Sequence, residues 1–335
     1  MKITVFLQTF LVALGAMFMA GCSPEKGEAS QDEPKILRIA YTMGTSELIH
    51  ESAQRMQELV KQKTGGRIEV RLYPASQLGN DQQVIEGLKL RSIDAAITGG
   101  APIGWYTPEY GVLEAPFVWR DYAHAQRVWD GPLGHEIKDA MFAKAKVRMH
   151  DIWFRGPRYL TTTDRKIHHP DDLNGLKLRV PELDVYMKSW RAFGANTTPV
   201  PFSDMFMALK LGVAEGQENP LATIYGNNLH EVQKCIMETR HLVGFFIFFT
   251  GDSWEARFTD EERALLTEAR IEAKRWHNQR LEESEEEFRR KLIKAGVEFV
   301  EVDRDAFREI AKSKIPPLFD GIWKPGIYKE IANSE

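Results

Sequence analysis

The most informative charged residue of this chain is Arg179, in the segment Gly175-Leu176-Lys177-Leu178-Arg179-Val180-Pro181. A strand sends successive side chains to opposite faces, so Leu176, Leu178 and Val180 share one face and Arg179 points from the other. It stands at the carboxyl end of the strand, which Pro181 terminates; in open α/β sheets that end borders the ligand crevice. A guanidinium there offers paired donors that match a carboxylate. Arg158, in Gly156-Pro157-Arg158, supplies a second positive charge just after another expected strand. The segment Gly216-Gln217-Glu218-Asn219-Pro220 reads as a turn, opened by glycine and closed by proline, that fixes the directions of amide and acid side chains. Taken alone, each arginine is a surface or salt-bridge residue and the third segment a polar turn.

Machinery for bond-making chemistry has no positive support in the sequence. The chain contains no GxSxG, HExxH, P-loop or GxGxxG pattern. His168-His169-Pro170 reads as a solvated turn without a third metal ligand nearby, and no metal or cofactor is expected. Of two cysteines, Cys235 lies between Lys234 and Ile236 with no local histidine, and a packed thiol is its default reading. The formal net charge of −4 argues against a nucleic-acid partner.

The elements that must position the arginines come in two similar sets. Positions 36–41 read as an apolar strand, 46–63 as a helix with Leu48, Ile49, Ala53, Met56, Leu59 and Val60 on one face, and 67–73 as an alternating strand. A helix over 81–91 and a strand over 93–98 complete a strand–helix–strand–helix–strand run, the pattern of a parallel sheet wrapped by helices. Strands over 149–153, 176–180 and 196–200, with helices over 185–193 and 203–211, restart it. The expected fold is therefore α/β with two lobes facing across a cleft: 36–156 plus about 245–284, and 157–244 plus about 285–335. Thr259 followed by Glu262 is a capping box that opens a helix running to about position 295. At ~1.5 Å per residue it is ~50 Å long, enough to span both lobes.

The first residues read as a lipoprotein export signal over 1–21: Lys2, an apolar run over 5–19, then Met19-Ala20-Gly21-Cys22, with Cys22 as the lipidation site. Positions 22–35 are polar and charged, a flexible tether. Loss of the signal removes Lys2 and takes the formal charge from −4 to −5. Lipidation of Cys22 leaves Cys235 alone, so no disulfide forms within the mature chain.

Taken together, these segments resemble the extracytoplasmic solute receptors of the tripartite ATP-independent periplasmic (TRAP) transporters. The marks include Leu72-Tyr73-Pro74-Ala75-Ser76-Gln77-Leu78-Gly79-Asn80-Asp81, Ala115-Pro116-Phe117, the strand ending at Pro181, and Ala208-Leu209 through Gly216-Gln217-Glu218-Asn219-Pro220. The resemblance implies two α/β lobes joined by crossing strands and a long helix, closing on the ligand by a hinge. It implies that Arg179 grips a ligand carboxylate, that Arg158 and Asn219 help to hold it, that Phe202 packs on the ligand, and that Asp81 lies near its polar end.

Within that family the nearest local likeness is to sialic-acid receptors, through Met43-Gly44-Thr45-Ser46 and LKLRVP. Two substitutions depart from it: Thr42 stands where those receptors carry an asparagine, and Gly99-Gly100-Ala101-Pro102 where they carry a glutamate and an arginine. The implied ligand is a small organic acid, a uronate or aldonate rather than sialic acid, with a C4-dicarboxylate or keto acid as the alternative. The implied partners are the membrane permease subunits, and the implied place is the periplasm, on a membrane through the lipid anchor only. A periplasmic sugar-acid enzyme and a ligand-bound partner of a sensor kinase are the rival readings.

Overall fold

The apolar run near the start of the body and the alternating segment that follows it become neighbouring strands. In a computed structural model, which describes residues 33–334, β1 (Lys35–Tyr41) pairs in parallel with β2 (Ile68–Tyr73), Ile39 opposite Leu72. It pairs on its other side with β3 (Ala95–Thr98), Ala40 opposite Ala96. The helix Leu48–Thr64 between the first two strands buries Leu48, Ile49, Ala53, Met56, Leu59 and Val60. The expected export signal, Cys22 and all of the tether before residue 33 lie outside the described residues.

Eight further strands follow: β4 (Arg148–Pro157), β5 (Tyr159–Thr162), β6 (Lys177–Val180), β7 (Asn196–Pro199), β8 (Gly216–Asn219), β9 (Cys235–Met237), β10 (Val243–Thr250) and β11 (Glu298–Val300). They assemble two sheets, one in the order β2-β1-β3-β10-β4 and one in the order β11-β9-β5-β8-β6-β7. The fold is the expected two-lobed α/β arrangement, with one sheet per lobe. In β10, Phe245, Ile247 and Phe249 enter one core layer while Phe246 and Phe248 enter another. A strand covered on both faces reads as an unbroken apolar run for that reason.

The lobes are joined where strands change sheets. Only Arg158 separates β4 of the first sheet from β5 of the second, and β9 of the second sheet returns the chain to β10 of the first. At the crossing Gly156 has φ +103° and faces Gly244 across the ladder. A Cβ at Gly244 would lie 3.0 Å from the Gly156 carbonyl oxygen, so the close approach of the two strands depends on glycine.

The helix Asp260–Lys294 ties both lobes together. Thr259 and Glu262 form its capping box: the Glu262 N–H donates to Thr259 Oγ1 at 3.2 Å and the Thr259 N–H to Glu262 Oε2 at 2.8 Å. Leu266, Ala269 and Ala273 pack under the first sheet, Leu281 meets Leu48 and Ala222, and Leu292 enters the core of the second lobe.

His277, midway along this helix, is buried with Nδ1 2.7 Å from Ser52 Oγ and Nε2 2.7 Å from the Phe154 carbonyl oxygen. Burial pushes its pKa from 6.5 down to about 4. A histidine whose folded pKa is depressed contributes stability that is complete above its unfolded value and is lost as pH falls through the window toward the folded value. From pH 6.5 to 4 the loss should reach about 3 kcal/mol. Urea midpoints measured across that range should fall steeply in the wild type. They should fall with a slope smaller by about one proton in His277→Gln; an identical slope would remove His277 from the account.

Candidate functional site

A cleft of about 850 Å³, counted out to its open mouth, lies between the lobes and gathers all six of the ligand-contacting residues expected from the sequence: Thr42, Asp81, Arg158, Arg179, Phe202 and Asn219. Strand ends and helix starts put them there. Asn80 caps the helix Asp81–Lys89, its Oδ1 accepting from the Gln83 N–H at 3.0 Å while the Gln83 side chain returns a bond to the Asn80 N–H at 2.9 Å. This fixes Asp81 in the first turn, where Thr42, just beyond β1, donates its hydroxyl to Asp81 Oδ1 at 3.0 Å. Burial raises the Asp81 pKa, against the Thr42 bond and the charges of Arg155 and Arg179.

The small loop after β3 lines the cleft with Gly99, Gly100 and Ala101. Glu114 reaches back so far that a Cβ on Gly100 would lie 1.9 Å from its Oε1, so a larger residue there would displace the Glu114 side chain. Glu114 Oε2 accepts from the Tyr186 hydroxyl at 2.5 Å across the cleft, and burial raises its pKa.

On the other wall, Leu178 and Val180 anchor β6 in the core, which turns Arg179 into the cleft as the alternation requires. Arg179 is buried, and its Nε and Nη2 donate to the Val200 carbonyl at 2.9 and 2.6 Å. That contact holds the guanidinium plane and leaves the end-on edge with Nη1 for a ligand. Burial lowers its pKa to about 10, so the group stays cationic at neutral pH.

Arg158 lines the cleft and is also the salt-bridge residue that its segment, taken alone, suggests. Its Nε and Nη2 donate to the two carboxylate oxygens of Glu218 at 2.5 and 2.7 Å, and Nη2 also to the Glu218 carbonyl at 2.9 Å. His241 Nε2 lies 3.1 Å from Glu218 Oε2, and His241 Nδ1 2.9 Å from the Thr239 hydroxyl. Burial alone would raise the Glu218 pKa, but Arg158 overrides it and holds the carboxyl at about 2. Arg158 thus lines the cleft with its charge already matched.

The segment read as a turn is instead strand β8, inside the second sheet between β5 and β6. Its side chains are polar yet buried because each has a partner there: Gln217 donates to Thr161 Oγ1 at 2.9 Å, Glu218 pairs with Arg158, and Asn219 Nδ2 donates to Gln217 Oε1 at 2.6 Å. The carboxyl end of β8 places Asn219 at the cleft.

Arg155 was missed by the sequence reading. In β4, Phe154 faces Phe245 and Gly156 faces Gly244, so Arg155 is the extra residue of a β-bulge. A bulge re-aims its side chain, and here it sends Arg155 into the cleft, over the Phe246 ring at 4.7 Å. Its Nη2 donates to Asn219 Oδ1 and Thr223 Oγ1 at the long distances of 3.3 and 3.4 Å. The Arg-Gly-Pro-Arg run was the available signal, two cations around a joint; the bulge itself depends on the partner strand.

Among the described residues no group of three or more histidine, cysteine, aspartate or glutamate side chains converges as metal ligands, and no helix is long and apolar enough to cross a membrane. His169 caps the 3-10 turn Pro170–Leu173, and Cys235 is a free, buried thiol in β9.

The model of the bacterial extracellular solute-binding protein family 7 matches residues 39–320. A solute-binding protein of Roseobacter denitrificans is 34% identical over 279 residues, 83% of this chain and 85% of the relative. The 2,3-diketo-L-gulonate-binding periplasmic protein of Escherichia coli is 27% identical over 306 residues, 91% of this chain and 92% of its own length. The crystal structure of a TRAP periplasmic solute binding protein from Roseobacter denitrificans with bound L-galactonate superposes with a TM-score of 0.83 at 32% identity, covering 89% of this chain and 99% of that one.

Proposed function

The chain belongs to the bacterial extracellular solute-binding protein family 7, and on that premise we propose that it captures a sugar acid, a uronate or aldonate, outside the cytoplasm and delivers it to the membrane subunits of a TRAP transporter. The observation that carries this reading is the charge pattern of the cleft. Three buried guanidinium groups, Arg155, Arg158 and Arg179, face it, and among the described residues only Arg158 has an ion-pair partner. Arg179 and Arg155 meet the charges of Glu218, Glu47 and Asp81 only beyond ion-pair distance, and a buried cation without a direct partner is costly; a ligand carboxylate on the open edge of Arg179 supplies one. The L-galactonate and 2,3-diketo-L-gulonate named for two relatives support an acid of this class.

The mechanism is capture without chemical conversion. The carboxylate docks on Arg179, with Arg158 and Asn219 beside it and Phe202 against the carbon chain. Closure of the lobes about the Gly156–Gly244 crossing expels water and strengthens each charged hydrogen bond. A micromolar dissociation constant needs only about 8 kcal/mol, within reach of one charged pair, several hydrogen bonds and an aromatic contact. In this reading the lobes are 36–156 with about 245–284 and 157–244 with about 285–335, and a lipid on Cys22 with a tether over 22–35 holds the receptor to a membrane.

Thermal melting of residues 23–335 against uronates, aldonates, dicarboxylates, keto acids and sialic acid tests the proposal. A sugar acid at about a hundred times its dissociation constant should raise the melting temperature by about 5–10 °C. A larger rise with a C4-dicarboxylate or keto acid would move the ligand to that class. The absence of any rise, in protein shown by mass spectrometry to carry no small molecule, would overturn the acid-receptor reading.

A further inference from the structure

Once a carboxylate sits on Arg179, Arg155 is left over. It is 8% exposed, its Nε has no hydrogen-bond partner, and no carboxylate lies within ion-pair distance among the described residues. A purely structural buried arginine has its donors satisfied. This one has two long bonds to neutral oxygens, is delivered into the cleft by a bulge, and carries its Nη1 to within 3.8 Å of where a Cβ on Gly99 would stand. The glycine loop leaves the space beside it open.

The groups that share the cleft with Arg155 decide what fits there. Among the described residues Asp81 accepts a bond from Thr42 alone and Glu114 one from Tyr186 alone, so each carboxyl has acceptor capacity to spare. A ligand hydroxyl is both acceptor and donor: its oxygen takes an Arg155 N–H while its hydrogen goes to Asp81 or Glu114. A second carboxylate would find the same arginine but would face two acid side chains, and a methylene would satisfy none of the three.

We propose that Arg155, acting with Asp81 and Glu114, reads a hydroxyl of the bound acid, so that the receptor selects polyhydroxy monocarboxylates and rejects both the diacids and the deoxy acids of the same length. The inference rests on the sugar-acid reading and narrows it: aldonates fit, aldarates and C4-dicarboxylates do not.

The test uses matched acids at two lengths: erythronate, tartrate and butyrate with four carbons, and L-galactonate, galactarate and hexanoate with six. Titration calorimetry, with displacement for weak binders, should show the hydroxylated monoacid of the better-bound length at least tenfold tighter than its diacid and its deoxy partner. Arg155→Met, which keeps the length of the side chain without its donors, should lose roughly 10- to 100-fold in affinity for that monoacid. The wild-type comparison needs no variant, so it stands even if Arg155→Met fails to fold. Equal affinity for the diacid or the deoxy acid, or an unchanged affinity in a folded Arg155→Met, would overturn the inference while leaving the receptor reading in place. Binding of no acid at all would remove both.

Discussion

Arg179→Ala should lose about 2–5 kcal/mol of binding free energy for the physiological acid, roughly 30- to 5,000-fold in affinity. The charge removed is buried and unpaired until the ligand arrives, so the ligand carboxylate would enter a dry site without its main counter-charge. Arg179→Lys should fail nearly as badly. The guanidinium spends Nε and Nη2 on the Val200 carbonyl and still has an edge to offer, whereas one ammonium cannot serve both partners with fixed geometry. Loss of the Val200 contact should also cost about 1–3 kcal/mol of stability, because a carbonyl is left unsatisfied. Calorimetric titration and a ligand-free melt separate the two effects. A folded Arg179→Ala protein that binds the acid within threefold of wild type would displace Arg179 as the anchor.

Glu218→Gln should be the most destabilising single change among the residues that support the cleft, although Glu218 itself does not line it. It strips the counter-charge from a buried Arg158, which should cost about 3–5 kcal/mol and lower the melting temperature by about 6–15 °C. The acid limb of stability gives an independent check. The folded pKa of Glu218, about 2, lies below its ordinary 4.5. Its contribution is therefore complete above pH 4.5 and is lost as pH falls from there toward 2. Wild type should lose stability across that window and Glu218→Gln should lose distinctly less. A variant melting within 2 °C of wild type with the same acid limb would show that the ion pair carries no net stability.

What could be read in advance divides along a physical line. Elements whose residues bury against their own neighbours in sequence, such as the helix Leu48–Thr64 and strand β2, showed their periodicity plainly, and Arg179 was found because Leu178 and Val180 fix which way it points. The ends of β1 and β6 and the start of the helix Asp81–Lys89 delivered Thr42, Arg179 and Asp81 to one cleft. Strand β8 was misread because its buried face is polar: Gln217, Glu218 and Asn219 find their partners in Thr161, Arg158 and Arg155, more than fifty positions away. Arg155 escaped notice because a bulge is a property of two strands, and the salt-bridge reading open to Arg158 had no partner to name because nothing local announces Glu218. Local order was legible; pairing across the fold was not.

The strand order also governs when the molecule can take shape. The first sheet cannot close until β10 slides between β3 and β4, yet β3 ends at Thr98 and β10 begins at Val243. The helix that binds both lobes comes later still, from Asp260. A growing chain therefore presents β3, and later β4, as open edges until β10 is made, with the entropy of a long loop still to be overcome. The second sheet has five of its six strands once β9 ends at Met237, whereas the first cannot close before β10, so the two lobes are completed only in the last third of the chain. Truncation between β9 and β10 should accordingly leave the first sheet split between β3 and β4 and abolish ligand binding.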